Sequence, residues 1–122
     1  MPPVPFAAVR PATLAAPITI TLENFEKDVL GSALPVLVDF WSQTCLPCKL
    51  IARTIDNLAV EYDGRLVVAK VNVDEEVEVA NRCRIERVPT VRIYKDGGVA
   101  FETYGTKDLK VEVVQALGTI LA

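Results

Sequence analysis

The sequence predicts an α/β domain in which one mixed sheet is sandwiched between helices. Three observations carry that expectation. Up to Val88, short apolar runs bounded by turn residues alternate with stretches of helical period, a pattern that needs parallel strands joined by helical crossovers. Asp96-Gly97-Gly98 then separates two strand-like runs by a turn too tight for a crossover, so the last strands pair antiparallel. Finally, 122 residues, 51% of them apolar, suffice for a single core without staples.

Residues Met1 to Pro17 hold five prolines, no acid and no regular period, and predict a tail outside the domain. Arg10, Pro11 and Pro17 interrupt any continuous apolar stretch there, so a signal peptide fits poorly. The domain itself is expected from Ile18 to Ala122. Ile18 to Leu22 reads as a strand, and Glu23 to Leu30 as a short helix stopped by Gly31. Val36 to Trp41 is apolar except for Asp39, as in a strand covered on both faces. Next, Cys48, Ile51, Ile55, Leu58, Ala59 and Tyr62 recur at helical spacing, and Tyr62-Asp63-Gly64 turns the chain. Leu66 to Val73 is a second buried strand, carrying Lys70 as its one cation. Asp74 to Cys83 has acids first and Arg82 and Arg84 at its end, matching a helix dipole. After Val88-Pro89-Thr90 come strands Val91 to Lys95 and Val99 to Tyr104. A last helix runs from about Lys107 to Leu121, with Leu109, Val113, Leu117, Ile120 and Leu121 as its stripe.

Composition removes several function classes. Sixteen carboxylates against 13 Lys and Arg leave no basic stripe, so no nucleic-acid partner is expected. No apolar run approaches the ~18 residues of a spanning helix, and no membrane partner is expected. Histidine is absent, which excludes Cys-His and Ser-His nucleophile pairs and histidine metal sites. Three cysteines, an odd number, speak against a secreted disulfide framework, whereas a lone C-x-x-C in a cytosolic setting reads as redox.

That pair is Cys45-Leu46-Pro47-Cys48, placed where a buried strand becomes an amphipathic helix. Helical residues three apart share a face with Cα atoms roughly 5–6 Å apart, within the range an S–S bond tolerates. Cys48 heads the stripe that faces the core, and Cys45 sits at the helix tip. There the unpaired N–H groups and the dipole favour an anion, so Cys45 is the expected attacker, with Cys48 more resistant to ionisation. Pro47 suits a first turn, where its missing N–H costs little. Either Thr44 through its hydroxyl or Cys45 through its sulfur fits the N-cap position.

Each residue also has a plainer reading. The two cysteines fit a structural pair or half of a metal site, although a second C-x-x-C is missing and Cys83 is only a third sulfur. An unpaired Asp39 inside its apolar strand would cost several kcal/mol or stay protonated, and Lys70 in the other buried strand is its natural partner. Trp41 fits a core aromatic, Pro89 an ordinary trans turn, and Cys83 an inert packed thiol.

The motifs Val38-Asp39-Phe40-Trp41, Cys45-Leu46-Pro47-Cys48-Lys49, Val71-Asn72-Val73-Asp74, Val88-Pro89-Thr90, Tyr94-Lys95-Asp96-Gly97-Gly98 and Gly105, in that order, resemble the thioredoxin family over roughly Ile18 to Ala122. The resemblance implies a central mixed five-stranded sheet with helices on both faces and disulfide exchange as activity. It makes Cys45 the nucleophile, Cys48 the resolving thiol, Asp39 the buried acid that exchanges a proton with Cys48, and Lys70 its charged neighbour. Pro89 resembles the cis-proline beside the disulfide. Trp41, Val88 and Gly105, with Leu46 and Pro47, would line the surface that accepts an extended substrate segment.

Thr44 and Leu46 depart from the usual Trp-Cys-Gly-Pro-Cys, removing one aromatic from the docking surface and adding a bulky side chain beside the attacking sulfur. Arg53 stands where a helix-kinking proline is frequent, which predicts a straighter helix. The function so implied is a protein-disulfide reductase. It would be a cytoplasmic monomer without cofactor or metal, acting on disulfide-containing proteins and recharged by a thioredoxin-reductase-type donor. The competing readings are a binding or adaptor module of the same fold, and a metal or cluster site shared by two chains.

Overall fold

The computed structural model describes residues 15–105 and 107–122, and the predicted tail falls mainly outside the described residues. Five strands form one sheet in the order β1-β3-β2-β4-β5: β1 (Ile18–Thr19), β2 (Val36–Trp41), β3 (Val67–Asn72), β4 (Thr90–Lys95) and β5 (Gly98–Thr103). β3 lies between β1 and β2, parallel to both, while β4 runs antiparallel to β2 and β5 antiparallel to β4. The mixed five-stranded α/β sandwich is therefore present as the sequence led us to expect.

Two-residue alternation along the strands separates two cores. Leu37, Val68, Val91 and Ile93 pack under α2 (Leu46–Glu61) and α4 (Leu109–Ile120). Val36, Val38, Phe40, Ala69 and Val71 face the other side, against Phe25 of α1 (Leu22–Phe25) and Val79 of α3 (Val77–Arg82). By the same alternation Asp39 and Lys70 point to the α2 face, which brings the two charges of the buried strands over that helix.

Three element boundaries differ from the expected ones. β1 stops at Thr19 because Thr21 serves as the N-cap of α1, its backbone N–H donating to Asn24 Oδ1 at 2.7 Å, so Leu22 is helical and not extended. α1 then passes into a π turn (Glu26–Leu30), closed by the Gly31 N–H on Glu26 O at 2.8 Å. α3 begins at Val77 and not Asp74, since the Asp74 N–H bonds Asn72 Oδ1 and its carboxylate accepts from Ser42 Oγ at 2.6 Å. The β4–β5 hairpin turns on Asp96 and Gly97, both with positive φ (52° and 81°), the conformation a two-residue turn requires between right-twisted strands. α2 runs unbroken for 16 residues through Arg53.

Candidate active site

The site lies where β2 hands over to α2. Ser42 holds the connecting loop: its hydroxyl donates to Asp74, lies 3.3 Å from the Thr44 hydroxyl, and accepts the Thr44 N–H at 3.4 Å. Cys45 is the N-cap of α2, its sulfur accepting the Cys48 N–H at 3.1 Å, which decides between the two capping candidates. Cys45 and Cys48 are joined as a disulfide with Cα atoms 5.3 Å apart. Cys48 is buried, Cys45 half-buried, and Leu46 beside them is 65% exposed.

Beneath the pair, Asp39, Trp41, Cys48, Lys49, Ala52 and Lys70 enclose a cleft of about 140 Å³. Asp39 is 2% exposed and its Oδ1 has no hydrogen-bond partner. Burial pushes its carboxyl up from 3.8 to about 7, opposed by the nearby Lys70 and reinforced by Asp56. Lys70 is the register partner of Asp39 across β2 and β3, but its ammonium pairs with Asp56 Oδ1 of α2 at 3.3 Å. The mutual pairing inferred from sequence is thus confined to proximity. A half-exposed carboxylate keeps its charge at little cost and captures the lysine, whereas the buried one does not.

Asp56 was not singled out as a site residue in the sequence, although it had a signal. Cys48, Ala52 and Asp56 follow one another at four-residue steps along one helix face, directly above the two strand charges. Ser42 and Asp74 also escaped notice, because their meeting depends on β2 and β3 ending side by side, with Val73 N–H on Trp41 O at 2.9 Å.

Of the remaining predicted residues, Pro47 and Gly105 line a second groove, with Pro89 packed against Gly105. The Val88–Pro89 peptide is cis, and the loop before it is held by Thr90 Oγ1 donating to Arg87 O at 2.6 Å. Gly105, at φ 72°, presses its backbone on this proline: a Cβ there would lie 2.6 Å from Pro89 Cγ and 3.2 Å from Ile51 Cδ1. Pro47, Leu50, Ile51 and Gly105 line a shared groove of about 340 Å³. Trp41 is placed in the Asp39 cleft and is half-buried, as is Val88.

Cys83 belongs to the opposite core and accepts a hydrogen bond from the Tyr94 hydroxyl at 3.6 Å. Burial pushes its thiol up, against the Tyr94 bond and Arg92. Among the described residues, no three His, Cys, Asp or Glu side chains converge as for a metal ion, and no helix is long and apolar enough to cross a membrane.

The family model described as Thioredoxin matches residues 16–117. The chain belongs to the thioredoxin family. Thioredoxin 1 of Nostoc sp. is 42% identical over 84 residues, 69% of this chain and 78% of the relative. The thioredoxin of Pseudomonas aeruginosa is 42% identical over 82 residues, 67% of this chain and 76% of its own. Thioredoxin M3, chloroplastic, of Oryza sativa subsp. japonica is 40% identical over 88 residues, 72% of this chain and half of that protein. Family membership and a cysteine pair closed at redox-active spacing support thiol-disulfide oxidoreductase activity.

Proposed function

We propose that the chain reduces protein disulfides, with Cys45 as attacker and Cys48 as resolver. The Cys45 thiolate attacks one sulfur of a substrate disulfide, forming a mixed disulfide and expelling the other substrate sulfur as thiolate. Cys48 then gives its proton to the Asp39 carboxylate and attacks Cys45 Sγ. This closes the Cys45–Cys48 disulfide and releases the second substrate sulfur as thiolate. The substrate gains two electrons and the pair loses two, which a dithiol donor of the thioredoxin-reductase type restores.

The observation that carries this reading is Cys45 at the cap of α2, where the sulfur already accepts a backbone N–H at 3.1 Å. Asp39 supports it, because a carboxyl near 7 exchanges protons readily at neutral pH. Lys70 acts by its field on Asp39. Trp41, Leu46, Pro47, Val88, Pro89 and Gly105 form the docking surface, with the Val88 backbone pairing an extended substrate segment. The working form is a monomer in a reducing compartment, the cytoplasm.

Turnover of insulin disulfides by dithiothreitol tests the reading. Acceleration over the thiol alone, lost in Cys45→Ser, is expected. No acceleration with the pair intact would favour an adaptor. Cys48→Ser should hold substrates as mixed disulfides on Cys45, and equal trapping by Cys45→Ser would reverse the two assignments.

A further inference from the structure

The docking loop borders a groove that the proposed function leaves unused. It encloses about 450 Å³, and its charged lining is Arg84, Arg87 and Arg92 against Glu86 and Glu102. Arg87 directly precedes Val88, and Tyr104, against which Arg87 packs, directly precedes Gly105, so the groove continues the docking surface.

The charges in it are not equivalent. Arg92 is committed, with Nε on Glu102 and Nη1 on the Tyr94 hydroxyl at 3.1 Å. Glu102 also accepts from the Tyr104 hydroxyl at 3.1 Å, and its bond to Arg92 leads the causes that hold its carboxyl below the usual range. The Arg87 guanidinium carbon lies over the Tyr104 ring, 3.5 Å from the centroid. A guanidinium held against a ring face keeps N–H donors available for a carboxylate. Arg84 sits just beyond the end of α3 at φ 55°, a position where glycine is unstrained, and lines the same groove. Among the described residues, neither Arg84 nor Arg87 is in a salt bridge. Three arginines against two glutamates leave a local positive excess on a chain of net charge −3, although Arg87 as well as Arg92 acts on the Glu102 carboxyl.

We propose that this groove is a specificity subsite for an acidic side chain of the substrate protein, an Asp or Glu one or two positions from the cysteine under attack. The proposal rests on the disulfide-reductase reading above. An extended segment paired with the Val88 backbone advances about 3.3 Å per residue, so its near neighbours pass over Arg87. A carboxylate there meets the Arg87 guanidinium, with Arg84 lining the same groove.

The test uses two disulfide peptides that differ only in carrying Glu or Lys beside one cysteine, with dithiothreitol as recycling reductant. At low salt the Glu peptide should be reduced with about fivefold higher kcat/KM, and the ratio should shrink at high salt. Arg84→Glu combined with Arg87→Glu should reverse the preference. Arg87→Gln should remove most of it with the thermal midpoint kept, and Arg65→Glu, at the far end of α2, should leave it in place. Equal rates for the two peptides, or a preference that survives Arg87→Gln, overturn the subsite and leave the reductase reading standing. If neither peptide is reduced, the reductase reading fails. Titration with the same peptides carrying serine for cysteine then decides the subsite alone, tighter binding of the Glu form supporting it and equal binding overturning it.

Discussion

Asp39 and Lys70 stand side by side in the register of β2 and β3, yet the lysine ammonium is bound to Asp56, 3.3 Å away on α2. The arrangement leaves a buried carboxyl without a full partner directly under Cys48. A direct ion pair would lock Asp39 as an anion. Proximity without pairing holds it near 7, where gain and loss of a proton are both accessible.

Asp39→Asn should therefore change how stability depends on pH. The carboxyl titrates near 3.8 unfolded and about 7 folded, so between those values the native state binds the proton more tightly. Its stabilising contribution is complete below the lower value and is lost as pH rises through the higher one. The oxidised variant should resemble the parent at about pH 4 and exceed its stability by a few kcal/mol at about pH 8. Denaturant titration of both oxidised proteins at the two pH values measures the difference.

The two groups flanking Asp39 should move its titration in opposite directions when neutralised. Lys70 lowers the Asp39 value and Asp56 raises it. Lys70→Met should shift the carboxyl upward, and Asp56→Asn downward, since it removes the repulsion and frees the lysine. Carbon-detected titration of the Asp39 carboxyl in the oxidised variants reads both shifts.

Gly105→Ala should distort the groove proposed to dock the substrate. The added methyl would sit 2.6 Å from Pro89 Cγ on a backbone at φ 72°, so either the proline loop or Gly105 must move. A loss of about 1–3 kcal/mol in stability is expected, with a higher KM for protein disulfides. Denaturation midpoints and steady-state kinetics check the two effects separately.

Much of this was legible in the order of residues, because the evidence for it is local. Val36 to Trp41 declares a buried strand, Cys48, Ile51, Ile55 and Leu58 declare a helix face, and Asp96-Gly97 declares a tight hairpin. The shortfalls arise where a side chain competes for the backbone or a contact spans the fold. Thr21 and Asn24 turn a β-like run into a helix start, and Asn72 with Asp74 delays α3. The capture of Lys70 by Asp56 depends on how far each acid is buried, and burial is a property of packing.

Cys83 should behave as an inert thiol in the oxidised protein. Burial dominates its raised titration, and its sulfur accepts the Tyr94 hydroxyl. Iodoacetamide at neutral pH should label it at least about tenfold more slowly than a free cysteine, and Tyr94→Phe should not accelerate the reaction strongly. Labelling at the free-thiol rate would mark it as exposed and reactive.

The most direct test of the central claim is alkylation of the fully reduced protein as a function of pH, with peptide mapping to follow Cys45 and Cys48 separately. The cap geometry predicts that Cys45 reacts at lower pH than free cysteine and that Cys48 reacts at higher pH, its onset moving down when Asp39, an anion above about pH 7, is replaced by neutral Asn. Cys48 ionising first, or both thiols titrating like free cysteine, would contradict the assignment of attacker and resolver.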